Sequence, residues 1–138
     1  MFCLCFLLFS ETVLFAQKYS LKITVNGIKQ ISGKIELSLY NNPETFPKDN
    51  EEYKSVSIPV KSNSVSCTIN NLPAGKYALA YYHDANSDNR CNRNFIGIPK
   101  EGFGFSNNVK PGFRAPSFSS CKINLYKNKS IDLHILYY

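Results

Sequence analysis

From Tyr19 onward the chain alternates apolar and polar residues, and no stretch repeats apolar positions at the three-to-four spacing of a substantial helix. Leu21, Ile23 and Val25 interleave with Lys22 and Thr24, and Ile35, Leu37 and Leu39 interleave with Glu36 and Ser38. The same period of two recurs in Val56, Ile58 and Val60, then in Val65, Cys67 and Ile69, and again in Tyr77, Leu79 and Tyr81. It returns in Cys121, Ile123 and Leu125, and finally in Ile131, Leu133, Ile135 and Tyr137. Side chains alternate across a strand, so each segment offers one face to a core. The pattern predicts an all-β chain of seven strands. Antiparallel hairpins are expected between the first two segments, between the third and fourth, and between the last two. Ala78 and Ala80 share the second face of the fifth strand, where small side chains predict close packing.

The connections are marked by turn chemistry. Residues 41–52 hold Pro43 and Pro47 among several turn formers, which predicts a surface loop with at most one irregular helical turn. Asn71-Leu72-Pro73-Ala74-Gly75 predicts a tight turn in which Pro73 sets φ and Gly75 supplies a positive φ. After Asp84 the alternation stops until Ser119. A connection of that length in a compact domain is either functional or disordered, and its aromatic residues argue for order. Seven short strands with polar turns predict two packed antiparallel sheets, a β-sandwich.

The N-terminal residues follow another rule. Phe2 to Phe9 carry no charge, and the segment ending at Ala16 has the apolar length of a secretion signal. It lacks a basic start and contains Glu11, and it is shorter than the ~20 residues that span a bilayer. The expectation is a signal peptide over residues 1–16 and a single β-sandwich domain over residues 17–138, exported to the periplasm or the exterior, with no membrane span in the mature chain. The full chain of 138 residues has a net charge of +6, but its lysines are scattered at strand spacing. That pattern suits solvated faces and guarded edges, and no nucleic-acid motif accompanies it. Cys67, Cys91 and Cys121 follow the leader without the spacing of a zinc site. A Cys67–Cys121 disulfide and two buried free thiols are both compatible with the sequence.

The chemistry concentrates in His83 to Asn108, HDANSDNRCNRNFIGIPKEGFGFSNN. His83, Asp84, Asn86, Asp88, Asn94, Gly97, Pro99, Glu101, Gly102, Gly104, Phe105, Ser106, Asn107 and Asn108 follow an LPAGKYA segment at fixed spacings and precede Pro116 and Phe118. In these residues, and over essentially all of the chain after the leader, the sequence resembles the secreted bacterial domain-of-unknown-function family 2141. The LPAGKY turn is also similar to transthyretin-like and carboxypeptidase-regulatory-like sandwiches. That resemblance implies a transthyretin-like Greek key with a long structured loop between the fifth and sixth strands; it implies no defined activity.

Read from the residues, Asp84, Asn86 and Asp88 occupy alternate positions of a D-x-N-x-D turn, with Asn92 following, and such oxygens can converge on a hard cation such as calcium. Asn89 stands where glycine is favoured, Phe95 stands where a bidentate Glu would close the loop, and Glu101 is available as a third acid. The alternative is that these side chains bond the loop's own backbone as Asx turns. Ligand-binding candidates are His83, Glu101, Phe103, Phe105, Ser106, Asn107 and Asn108, combining aromatic surface with fixed polar groups. The first expectation is a monomeric, non-catalytic binding or accessory module that uses the 84–119 loop to hold a ligand, such as a glycan or another envelope protein. A hydrolase-like enzyme centred on His83, Asp84 and Glu101 is a rival, although no nucleophile motif supports it. A purely structural envelope protein is the third reading.

Overall fold

The computed structural model describes residue 11, residues 15–91 and residues 101–138. Among the described residues eight strands form: β1 (Lys18–Asn26), β2 (Lys34–Tyr40), β3 (Lys54–Pro59), β4 (Ser64–Pro73), β5 (Gly75–Asp84), β6 (Phe103–Phe105), β7 (Ile123–Leu125) and β8 (Lys129–His134). A 3-10 turn follows β6 at Ser106–Asn108, and one short helix, α1, spans Phe118–Cys121. Strands β2, β3 and β4 coincide with the alternating segments of the sequence, while β6 lies inside the stretch expected to be loop. No described helix is long and apolar enough to cross a membrane.

The strands form two sheets, one ordered β4-β1-β8 and one of five strands ordered β3-β2-β5-β6, with β7 also paired to β5. This corrects the expected pairing. β1 and β2 are not a hairpin, because β1 pairs with β4 and β8 while β2 pairs with β3 and β5. β3 and β4 lie in different sheets, as do β7 and β8. The chain is also not purely antiparallel: β8 runs parallel to β1, with Ile23 opposite Ile131 and Val25 opposite Leu133. The physical reason is that an alternating strand declares its apolar face and not its neighbour. Either sheet of a two-layer core satisfies that face equally.

Leu21, Ile23 and Val25 of β1 meet Ile35, Leu37 and Leu39 of β2 and Tyr77, Leu79 and Tyr81 of β5 in one buried cluster. That shared core packs the two sheets through their inward faces, each side chain removing apolar surface from water at about 25 cal/mol per Å². The β4 to β5 connection crosses from one sheet to the other. The left-handed residue is not Gly75 but Asn71, at φ 58° near the end of β4. Asn tolerates that conformation because its side chain is short and polar.

A second cluster covers the outer face of the five-stranded sheet. Tyr40, Phe46, Ala78, Phe118 and Cys121 are buried together, with Phe105 and Val109 packed against them. Phe46 is the hub, meeting Tyr40, Phe105 and Phe118 edge to face at 5.2, 6.1 and 6.0 Å between ring centres. The close packing expected over Ala78 is this contact. Cys121, expected to open a strand, ends α1 instead. Cys67 packs on the inner core and Cys121 in the outer cluster, so the five-stranded sheet separates them, and both are free thiols. Burial pushes both thiols above the ordinary cysteine range, which keeps them protonated and unreactive.

The free edge of β5 is met by two short strands in succession, β7 against Gly75–Tyr77 and β6 against Ala80–Tyr82. Ser106 fills the gap between them. Its fully buried hydroxyl accepts from the Leu79 N–H at 2.9 Å and donates to the Cys121 carbonyl. The next two residues continue the stapling. The Asn107 amide donates to the Ser120 and Lys122 carbonyls, and the Asn108 amide accepts from His134 N–H at 2.8 Å and donates to the Asp132 carbonyl at 3.2 Å. Asn108 therefore engages the backbone of β8 as a partner strand would.

Candidate functional site

Two features stand on the outer side of the five-stranded sheet, and both begin with β5. Because side chains alternate, Ala78, Ala80, Tyr82 and Asp84 face outward while Tyr77, Leu79, Tyr81 and His83 face inward. Ser38 and Tyr40 face outward from the neighbouring β2, with Ser38 opposite Ala80 in register. Register also brings Phe105 opposite Ala80 and Phe103 opposite Tyr82. Between these two rings Gly104 lies against the Tyr81 side chain, where any Cβ would stand 2.3 Å from the Tyr81 hydroxyl oxygen. Glycine is thus required for the close approach that aligns β6.

The first feature is a cleft of about 690 Å³, a volume that suits a small organic ligand. Small side chains, Ser38 and Ala80, give it depth. Tyr82, Phe103 and Phe105 supply aromatic surface, with Tyr138 at the edge stacked on Phe103 at 5.7 Å between ring centres. Pro47 and Asp49 of the turn after β2, and the segment Pro111 to Ala115, complete the lining. Phe113 in that segment is fully exposed, and Arg114 beside it is exposed as well. Burial pushes the Tyr82 hydroxyl well above the ordinary tyrosine range, with the carboxylates of Glu36 and Asp84 adding to the shift. It stays a neutral hydrogen-bond donor at all physiological pH values.

The second feature is the turn after β5. The Asp84 carboxylate is fully buried and accepts from the Asp88 N–H at 3.1 Å and from the Asn89 N–H at 2.9 Å. Asn86 accepts from the Asp88 N–H and donates to the Asp88 carboxylate. The turn requires left-handed backbone at Ser87 (φ 55°) and Asn89 (φ 62°), and asparagine serves where glycine is usual. Glu101 returns to accept from the Ala85 N–H at 2.9 Å. Single carboxylate oxygens of Asp84, Asp88 and Glu101 come within 4.8 Å of one another. Three such oxygens are hard, anionic donors of the kind calcium prefers. The Lys34 ammonium, paired with Glu36 at 2.9 Å, also donates to the Asn89 side chain and holds one flank of the turn.

The structure brings together only part of the candidate set. Asp84 and Asp88 meet with Glu101, whereas the Asn86 amide is bonded to Asp88 and Asn92 lies outside the described residues. Phe103 and Phe105 line the cleft. Ser106, Asn107 and Asn108 bond backbone around β5, α1 and β8 instead. His83 is on the inward face, 1% exposed. Its Nε2 donates to the Ser32 carbonyl at 2.8 Å, and its Nδ1 accepts from the Tyr137 hydroxyl at 3.2 Å, which itself accepts from the Lys29 N–H. The neutral tautomer with a proton on Nε2 satisfies every atom in that chain. His83 therefore points away from Asp84, and the trio His83, Asp84 and Glu101 does not assemble as a catalytic unit.

Tyr40, Tyr82, Asp49 and Arg114 belong to no motif that marks them in the sequence. Tyr40, Ala80 and Tyr82 sit at the nominally solvent-facing positions of β2 and β5. Apolar residues there signal that something covers or uses that face.

A family model described as "Uncharacterized protein conserved in bacteria (DUF2141)" matches residues 23–133, and the chain belongs to this family. No curated protein and no solved structure matches the chain.

Proposed function

We propose that this member of the family is an exported, non-catalytic binding module whose 84–119 segment builds a small-ligand site on a transthyretin-like scaffold. The observation that carries the reading is the cleft of about 690 Å³ lined by the Pro47 turn and the Pro111–Ala115 segment and set on the paired strands β2, β5 and β6. Sites built on sheet positions are held more rigidly than sites on free loops. The fully exposed Phe113 at the rim supports the same reading, since a large unpacked aromatic ring beside an apolar hollow marks an interaction surface. A calcium ion held by Asp84, Asp88 and Glu101 would tie the turn to the strand that carries the cleft. The two satisfied nitrogens of His83 speak against acid–base chemistry at this end of the sheet.

One experiment addresses both parts. Anilinonaphthalene sulfonate is titrated into the folded protein, and thermal unfolding is followed after EDTA treatment and again in millimolar calcium. We expect a saturable fluorescence rise in the wild type that weakens roughly tenfold or more in Ala80→Phe, whose ring fills the bottom of the cleft. Calcium should raise the unfolding temperature, by the equivalent of about 2.7 kcal/mol when present at a hundredfold excess over its Kd. The Asp88→Asn, Glu101→Gln double variant should lose that increment. Dye binding that Ala80→Phe leaves untouched would overturn the cleft, and a calcium-independent melt would remove the ion.

A further inference from the structure

The cleft is electrically asymmetric. Asp49 and Arg114 both line it, both are exposed, and neither forms an ion pair with any described residue. Asp49 is reinforced by its neighbours: the Tyr40 hydroxyl is pushed up to about 12 by burial first and then by the charges of Glu52, Asp49 and Glu51. Lys110 precedes Arg114 on its own segment. Opposite charges that line one apolar hollow without pairing leave a field directed from one to the other. A neutral apolar guest gains nothing from that field. A simple anion or cation gains from one of them and is repelled by the other. A molecule carrying both charges gains at both, and its cationic nitrogen also finds the aromatic ring of the half-buried Tyr82.

We infer that the cleft takes a drug-sized zwitterion on an aromatic body, of the chemistry of a short aromatic peptide, with its cationic nitrogen toward Asp49 and its carboxylate toward Arg114. The inference rests on the binding reading above and names its ligand class. The guanidinium fork of Arg114 matches a carboxylate in two-point geometry, which a lysine in its place would not reproduce. The aromatic rings of the guest would lie against Phe103, Phe105 and Phe113.

The test is calorimetric titration of the full protein with the dipeptide phenylalanyl-phenylalanine, its N-acetylated form and its C-terminal amide. The unblocked dipeptide should bind tightest, and removing either charge should weaken binding roughly tenfold. Asp49→Asn should erase the penalty for acetylation and retain that for amidation; Arg114→Gln should do the reverse. Both side chains are exposed and form no ion pair with a described residue, so these variants keep the fold. Equal affinity for all three compounds, or discrimination that survives in both variants, would overturn the inference. If anilinonaphthalene sulfonate binds in the cleft and no form of the dipeptide does, the zwitterion is wrong and the binding module stands. If the dye itself ignores Ala80→Phe, the module fails too.

Discussion

Gly33→Ala is expected to lower stability by about 2–5 kcal/mol, one of the two largest losses we expect from any single substitution outside the inner core. Gly33 lies just before β2 at φ +65°, where an L-residue with a Cβ is strained. A Cβ there would stand 2.0 Å from the Asp84 carbonyl oxygen and 2.8 Å from the Ala85 Cα. Both are backbone atoms, so no rotamer change relieves the contact. The residues displaced are those that begin the acidic turn, and Gly33 also provides the carbonyl that accepts from Val60 N–H. Chemical unfolding should show the loss, and the calcium response should fall with it because Asp84 moves. Gly112→Ala is the contrast, since a Cβ there meets nothing within 4 Å and its melt should be unchanged. A Gly33→Ala protein within 1 kcal/mol of wild type would contradict the close approach of the β1–β2 connection to the end of β5.

Ser106→Ala is the second large effect. The hydroxyl is the only described group holding both the Leu79 N–H and the Cys121 carbonyl where β6 and β7 leave the edge of β5 uncovered. Removing it strands a buried donor and a buried acceptor, each costing about 1–3 kcal/mol, so a total loss of about 2–6 kcal/mol is expected. Hydrogen exchange gives the specific readout. The Leu79 amide should exchange far faster in the variant relative to neighbouring amides of β5, which keep their partners on β2. A uniform acceleration across β5 would mean that the serine acts only through global stability.

How far the sequence revealed these features follows from what each depended on. The inner faces were legible because Leu21, Ile23 and Val25, or Ile35, Leu37 and Leu39, repeat with a strict period of two and are all buried. The partners were not legible, since the face of β1 is satisfied equally by β2 or by β4 and β8. A short polar connection such as residues 61–63 turns a hairpin or crosses between sheets with the same residue types. The strand β6 was hidden for another reason: three residues, Phe103 to Phe105, are too few for a period, and the glycine between the two rings looks like loop. Its logic is visible only once Tyr81 is seen to occupy the place a Cβ would take.

The acidic turn was legible in part. The alternation of Asp84, Asn86 and Asp88 locates a tight turn with converging oxygens, and Glu101 is available in the sequence as a third acid. What local spacing did not show is that Asp84 is fully buried and bonds the backbone of residues 88 and 89. Asn107 and Asn108 show the same difficulty, because exposed amides in a loop suggest ligand contact until β8 and the residues around α1 are seen beside them. The cleft was the least legible feature. It is assembled from β2, β5, β6 and two loops far apart in the chain, and only the apolar residues on the outer face of β5 hinted at it.

The most direct measurement of the central claim is the pattern of backbone amide shifts in nitrogen-labelled protein as anilinonaphthalene sulfonate is added. The cleft predicts saturable changes at Ser38, Ala80, Tyr82, Phe105 and residues 112–115, with β1, β4 and β8 unchanged. Changes centred on the three-stranded sheet, or none that saturate, would contradict it.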